Sequence, residues 1–261
     1  MKTLRIWYYA GFKNFGDRLS TYILNHYGRT HNVKFVYTPN KSQADIIGIG
    51  SILHSMPSNF RGQVWSTGSL QYPHKARNLG KVWGVRGKLT ARKYGGLPVI
   101  GDGALLLRHM HPKPVKKKYR LGIIPHYVDR KSVLQMVRPR SDVTILNIHD
   151  DPAVFIKKLR QCRCIFSSSL HGLIAADAFG IPNRQFRVPT SNKIRGGFFK
   201  YKDYYSAFGL PLPKCIILKK DTPLMTKWYP LTLKHYSRPG MGALQQRLLA
   251  VTQEMLATLS R

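Results

Sequence analysis

The chain has 261 residues, enough for one large core or two small ones. Against 43 lysines and arginines stand only 11 acids, with Glu254 the sole glutamate, for a formal net charge of +32. The 43% apolar content is that of a soluble globular protein, no run of about 18 apolar residues exists to span a membrane, and three cysteines without framework spacing exclude a disulfide scaffold.

The charge favours anionic partners: nucleic acid, anionic lipid headgroups, phosphorylated substrates or acidic polysaccharide. A solvated basic surface accounts for it equally well. The cations are spread along the chain, with no arginine-rich arm and no zinc or helix-turn-helix signature, which argues against a specific nucleic-acid reader. Cys162, Cys164 and Cys215 read as reduced thiols of a cytoplasmic protein. Cys162-Arg163-Cys164 lacks both the spacing and the second pair of a zinc site, so no metal is expected.

Leu4 to Tyr9 reads as a first strand rather than a signal peptide. The loop Ala10 to Asp17 follows, then a helix from about Arg18 to Tyr27 with Leu19, Ile23 and Tyr27 on one face. Short apolar runs recur at 33–37, 46–49, 64–66, 81–85 and 99–100, several ending in glycine or serine. That pattern indicates a parallel sheet with ligand loops at the strand C-termini. None of the glycine turns is a dinucleotide fingerprint in its required context.

The proline-rich, charged segment 113–118 reads as a linker between a first domain, 1–112, and a second, 119–236. The second domain opens with strands at 121–124, 143–146 and 164–166, with a helix from Pro152 to Gln161 capped by Asp151 before the last of them. The C-terminal segment, 237–261, carries Leu244, Leu248, Val251, Met255 and Leu259 at helical spacing and must pack on something.

The most informative stretch runs from Ser167 to Pro182. The strand ending at Phe166 leads into Ser167-Ser168-Ser169-Leu170-His171-Gly172, small residues follow at helical spacing, and Gly180-Ile181-Pro182 ends the helix. A histidine, hydroxyls and helix N-terminal amides then point at one place, which suits a phosphate or carboxylate. The bland alternative is a serine cap and a histidine that satisfies the backbone.

Six segments in order resemble the polysaccharide pyruvyltransferases, which move pyruvate from phosphoenolpyruvate onto a sugar as a ketal. They are Asn14-Phe15-Gly16-Asp17, Val85 to Thr90, Gly101 to Leu106, Leu121 to Asp129, Ser167 to Pro182 and Phe199 to Tyr205. The resemblance implies an α/β, GT-B-like architecture: two Rossmann-like domains facing across a cleft, the first on the acceptor side and the second on the donor side, with the C-terminal helix packing back on the first. Two positions depart from the pattern. Ser169 stands where many members have a donor-holding arginine, and Gly103 where proline is common.

The resemblance makes phosphoenolpyruvate the donor substrate, with no separate cofactor. Its methylene carbon must be protonated, its phosphate and carboxylate held, and a sugar hydroxyl brought to its central carbon. His171 is carried over as the catalytic acid. Arg86 is read as a clamp for phosphate or carboxylate, or else as an exposed arginine at a helix start. Ser168, Ser169, Leu170 and Gly172 complete the donor nest. His126 either enters the donor site or is a loop histidine, and Lys193 and Arg195 are candidates to replace the absent arginine. On the acceptor side stand Asn14, Asp17, Lys200 and Tyr204. Asp17 either accepts from a sugar hydroxyl or caps the following helix, and Tyr204 either stacks on sugar or packs its own helix.

The expected acceptor is a sugar of a bacterial polysaccharide, or its undecaprenyl-pyrophosphate-linked precursor. The expected location is cytoplasmic, peripheral at the inner face of the plasma membrane, where anionic headgroups attract basic residues. A GT-B glycosyltransferase with a nucleotide-sugar donor, and a catalytically inactive relative that only binds sugar, remain as alternatives.

Overall fold

The structure is a computed structural model describing residues 1–12, 14–71, 79–92, 99–189 and 197–261. In chain order the strands and helices are β1 (Lys2–Trp7), α1 (Phe15–Gly28), β2 (Val33–Tyr37), β3 (Ile46–Ile47), β4 (Gln63–Val64), α2 (Lys88–Ala91) and α3 (Leu107–Met110). There follow β5 (Tyr119–Ile124), α4 (Arg130–Met136), β6 (Val143–Ile145), α5 (Pro152–Arg160), β7 (Cys162–Ser167), α6 (Leu170–Ala178) and β8 (Asn183–Arg187). The last are α7 (Phe199–Ser206), β9 (Ile216–Ile217), α8 (Tyr229–His235) and α9 (Met241–Ser260).

The protein is α/β with two sheets among the described residues, in which neighbouring strands run parallel. The sheet orders are β2-β1-β3-β4 and β6-β5-β7-β8-β9. The first continues beyond β4 through single parallel bridges, Val64 to Val82 and Val85 to both Thr67 and Ile100. These bridges fall on the apolar runs at 81–85 and 99–100. In both sheets the first strand lies inside and the strand order reverses beside it, the arrangement that opens a crevice at strand C-termini.

The chain divides into two compact units. Unit 1 comprises Met1–Leu106, Gly196–Leu212 and Pro239–Arg261, and unit 2 comprises Leu107–Arg195 and Pro213–Arg238. Thus α7, which the sequence reading assigned to the second half, is built into unit 1.

Local chemistry explains the elements. Parallel strands buried on both faces read as apolar runs rather than alternations, as β7 does with five of its six residues buried. Helix α1 starts at Phe15, three residues earlier than its periodicity suggests, because Asn14 caps it: Oδ1 accepts the Asp17 N–H at 3.2 Å. Asp151 caps α5 the same way, accepting the Ala153 N–H at 2.9 Å with Pro152 behind it. Gly180, at φ +64°, ends α6, and the Ile181 N–H returns to the Ala176 carbonyl at 2.9 Å.

In unit 1, α9 buries Leu244, Leu248, Val251, Met255 and Leu256. Trp65 Nε1 donates to Thr252 Oγ1 at 2.9 Å, and Gln245 Nε2 donates to the Leu105 carbonyl at 3.0 Å. Thus the amphipathic stripe has its partner, and its two buried polar residues are satisfied.

Candidate functional site

In unit 2, β7 ends at Ser167 and α6 begins at Leu170, so Ser168 and Ser169 form the turn. Ser169 is the N-cap residue but makes no side-chain cap bond, and His171 is the second helical residue. The positive end of a nine-residue helix therefore lies at His171 and Ser169, at the C-terminal end of a parallel strand.

The other two serines hold the turn together. Ser167 Oγ accepts the Ser169 N–H at 3.0 Å and lies 3.0 Å from the Ile124 carbonyl. Ser168 Oγ, fully buried, accepts the His126 N–H at 2.9 Å, which fastens the loop after β5 to the turn after β7. Gly172 permits this closeness: a Cβ there would meet Ser167 Oγ at 2.5 Å and Ile124 at 3.0 Å. The His126 ring lies 4.3 Å from the Tyr127 ring, and its Nδ1 is 3.5 Å from the Val128 N–H. Leu170 is buried. The structure thus gathers His126, Ser168, Ser169, Leu170, His171 and Gly172 at one end of one sheet. Within that group Ser168, Leu170 and Gly172 serve the packing of the turn, and His126, Ser169 and His171 are its half-exposed members.

Downstream, α6 is anchored by Asp177, which accepts from Asn183 Nδ2 at 2.5 Å, Tyr236 Oη at 3.0 Å and Arg238 Nε at 2.9 Å. A groove of about 380 Å³ lined by Lys117, Arg163, Phe179 and Tyr229 lies at the other end of α6.

In unit 1 the acceptor-side candidates also come together. Asp17 is the third residue of α1, and Asn14 Nδ2 donates to its Oδ2. The capping alternative changes as a result: Asn14 does the capping, and Asp17 buttresses the cap. Burial pushes the Asp17 carboxyl up to about 7, against the pull of the Asn14 hydrogen bond and the Lys200 charge. Lys200 is 8% exposed on α7, with its Nζ 5.4 Å from the Tyr201 ring centre. Tyr204 is fully buried and packs edge-on against Tyr205 and Phe208, so it is a packing residue.

Arg86 is fully buried, and each of its three guanidinium nitrogens has a protein partner. Nε donates to Asp203 Oδ2 at 3.0 Å, Nη1 to Ser51 Oγ at 2.6 Å and Nη2 to the Ser69 carbonyl at 2.8 Å. It is neither exposed at a helix start nor presented to a ligand. The glycine turns around Ser51 and Ser69 likewise bind one another: Thr67 Oγ1 donates to the Gly50 carbonyl at 3.1 Å. Arg86 belongs to unit 1 and His171 to unit 2.

Sequence reasoning missed Asp203 and Asp102. Asp203 also accepts from the Thr90 N–H and Thr90 Oγ1, each at 2.8 Å. Asp102, fully buried, accepts the Ala104 N–H at 2.9 Å, and burial pushes its carboxyl up to about 6. Both lie inside segments whose order carried the family resemblance, and a lone acid within such a segment of an acid-poor chain is the signal that would have marked them.

A family model described as polysaccharide pyruvyl transferase matches residues 10–184, spanning the β1–α1 turn, the Arg86 segment and the β7–α6 turn. The chain belongs to the polysaccharide pyruvyl transferase family.

Two relatives extend the comparison. An uncharacterized protein of Acanthamoeba polyphaga mimivirus is 30% identical over 194 residues, covering 67% of this chain and 66% of its own length. The succinoglycan biosynthesis protein ExoV of Rhizobium meliloti (strain 1021) is 32% identical over 133 residues, covering 48% of this chain and 40% of its own length. The matches therefore span less than two thirds of either relative.

Of the remaining family-derived candidates, Lys193 and Arg195 lie outside the described residues. Cys162 and Cys164 are buried, and burial pushes both thiols up to about 12, so they are inert core residues. Among the described residues no group of three His, Cys, Asp or Glu is placed to hold a metal ion, and no helix is long and apolar enough to cross a membrane.

Proposed function

We propose that this protein transfers the pyruvyl group of phosphoenolpyruvate to two hydroxyls of a saccharide, forming a cyclic ketal and releasing phosphate. One observation carries the reading. The family match runs through the β7–α6 turn, where His171 stands at the positive end of a helix beside a half-exposed Ser169. A helix N-terminus favours the donor's negative groups, and a histidine beside them is raised toward its protonated form and can give a proton to the methylene carbon. That proton makes the central carbon electrophilic, a sugar oxygen bonds to it, and phosphate leaves with the electron pair of its own C–O bond.

In this reading unit 2 supplies the donor side, unit 1 the acceptor side, and the two form a GT-B-like pair. The acceptor is a polysaccharide repeat or its lipid-pyrophosphate-linked precursor, met at an anionic membrane surface by a peripheral, cytoplasmic enzyme. Arg86 is not the donor clamp here, since its nitrogens are already occupied.

The test is phosphate release from phosphoenolpyruvate with p-nitrophenyl glucosides, galactosides and mannosides as acceptors. Acceptor-dependent release that falls by about 10²- to 10⁴-fold in His171→Ala is expected. No release with any acceptor, together with no thermal shift by phosphoenolpyruvate, would overturn the reading.

A further inference from the structure

The sheet of unit 2 brings two basic stretches of sequence to one edge. Residues 113–120 carry five lysines and arginines, residues 157–163 carry four, and neither stretch contains an acid. Parallel pairing of Tyr119 with Cys162 lays the two side by side at the N-terminal ends of β5 and β7, away from the β7–α6 turn. Charges of one sign crowded in this way repel one another and favour an anionic partner.

Bordered by both stretches and by α8 is the groove of about 380 Å³, and every residue that lines it belongs to unit 2. Lys117 gives two of its three ammonium hydrogens to the Arg160 and Cys162 carbonyls, each at 2.9 Å, which fixes the head and leaves one hydrogen for a ligand. Arg163 is exposed and makes no hydrogen bond or ion pair among the described residues. Desolvation chiefly, with the Arg160 and Arg163 charges behind it, holds the Lys117 ammonium below its usual pKa, against the opposite pull of Cys162. A bound anion favours the charged form. The rest of the lining is apolar, with Phe179, Ile181 and Leu233 prominent and the phenol of Tyr229 the one other polar side chain. Arg120 lies 5.1 Å over the Tyr229 ring and Arg160 5.0 Å over the Phe179 ring, so each aromatic wall carries a guanidinium. Leu233 stays 43% exposed, an apolar side chain beside the cations.

These side chains select among anions. A sugar or a nucleobase needs several polar partners, and the lining side chains offer no carboxylate, no amide and a single hydroxyl. Free phosphate satisfies the cations and leaves the apolar wall against water. A second copy of this chain brings a charge of the same sign. A phosphate ester that continues into a glyceryl ester and an acyl chain satisfies both halves. Small-molecule sites run from about 300 to 1,000 Å³, so a groove at the low end of that range takes the head and the start of a chain, and the remainder stays in the bilayer.

We propose that this groove binds the headgroup phosphate of an anionic phospholipid, with Lys117 and Arg163 on the phosphate and Phe179, Ile181 and Leu233 against the first part of the chain. The site gives the peripheral location proposed above its contact face, and rests on that part of the reading alone. Phe179 follows the last residue of α6, roughly 12 Å of helix from His171, so a lipid held here leaves the β7–α6 turn clear.

The experiment measures partition onto phosphatidylcholine vesicles with and without about 30% phosphatidylglycerol at about 0.1 M NaCl. The proteins are the wild type, Lys117→Gln/Arg163→Gln, Leu233→Ser and an equal loss of charge at two other exposed lysines of unit 2, Lys219→Gln/Lys220→Gln. Soluble dihexanoyl phosphatidylglycerol is titrated by calorimetry beside inorganic phosphate and glycerol 3-phosphate. Expected is a fall of about 30-fold in partition for the groove pair, about fivefold per cation, against less than about threefold for the other pair. Leu233→Ser is expected to weaken the short-chain lipid and leave inorganic phosphate unaffected. Equal falls in the two paired variants would overturn the proposal, since the field of the whole surface then does the binding. Inorganic phosphate bound as tightly as the short-chain lipid would overturn it in favour of a bare phosphate site. Should the groove pair fail to fold, Leu233→Ser decides, because its side chain is already half in solvent: an unchanged affinity for the short-chain lipid overturns the proposal. Anionic vesicles still bound when the groove pair is removed keep the membrane surface and strike out the groove. Phosphate release from phosphoenolpyruvate with p-nitrophenyl glycosides is expected at the wild-type rate in all these variants. Its absence in the wild type would overturn the transferase reading, whereas the vesicle result stands by itself.

Discussion

Asp102 shows how a single buried carboxyl sets a pH dependence. It is fully buried, the Ala104 N–H and the Arg86 charge favour its ionised form, and Asp203 opposes it. Burial dominates and raises it from the usual carboxylate range to about 6. Below pH ~4 both folded and unfolded forms are protonated; between ~4 and ~6 only the folded form holds the proton. The stability this group lends is therefore present at acid pH and lost as pH rises through 6. At about 1.4 kcal/mol per unit, the loss is of order 2–3 kcal/mol. Asp102→Asn keeps the acceptor for Ala104 and cannot ionise, so it is expected to flatten the urea midpoint between pH 4 and 7. An unchanged slope would assign the dependence to other groups.

Helix α9 is where element-level packing is most exposed to test. Leu248 is fully buried in unit 1, with its Cδ1 beside Gly101. Leu248→Ala removes its methyl groups from a site where Thr252 and Trp65 are already fixed by their hydrogen bond. A loss of about 2–5 kcal/mol in denaturant unfolding is expected, with less than 1 kcal/mol indicating that α9 collapses onto the gap. This helix was legible in sequence because its spacing is periodic and its partner surface needs no identification. The strands were legible for a similar reason, since apolar runs between glycine turns have few other uses. The place of α7 was not. Lys200, Tyr201, Asp203, Tyr204 and Tyr205 are all buried, so it presents no one-sided stripe. Its partner Arg86 lies 117 residues away. Arg86 read as a ligand clamp for the same reason: a cation after an apolar run is visible in sequence, and the distant acid that neutralises it is not. The β7–α6 turn was read correctly as strand, turn and helix. That Ser168 serves a backbone amide of another loop depends on a neighbouring strand which local spacing does not specify.

At the scale of the whole molecule the net charge of +32 governs encounter more than fold. Binding to vesicles containing about 30% phosphatidylglycerol is expected at low salt, and release is expected by about 0.5 M NaCl as screening shortens the range of the field. Co-sedimentation indifferent to anionic lipid would remove the membrane surface from the proposed function and leave the charge to the substrate alone.

Unit 1 is assembled from three stretches of chain, Met1–Leu106, Gly196–Leu212 and Pro239–Arg261. On a ribosome these stretches emerge at different times. The stretch that carries Arg86 and Trp65 is complete long before Asp203 and Thr252 are made. At roughly 5–20 residues per second the interval to the end of Pro239–Arg261 is on the order of ten to thirty seconds. Within it a guanidinium destined for burial lacks its counter-charge until Asp203 is made, and an indole its acceptor until Thr252 is made. Vectorial synthesis thus begins unit 1 first and completes it last, which makes its early strands the part of this protein most in need of protection while it is being born.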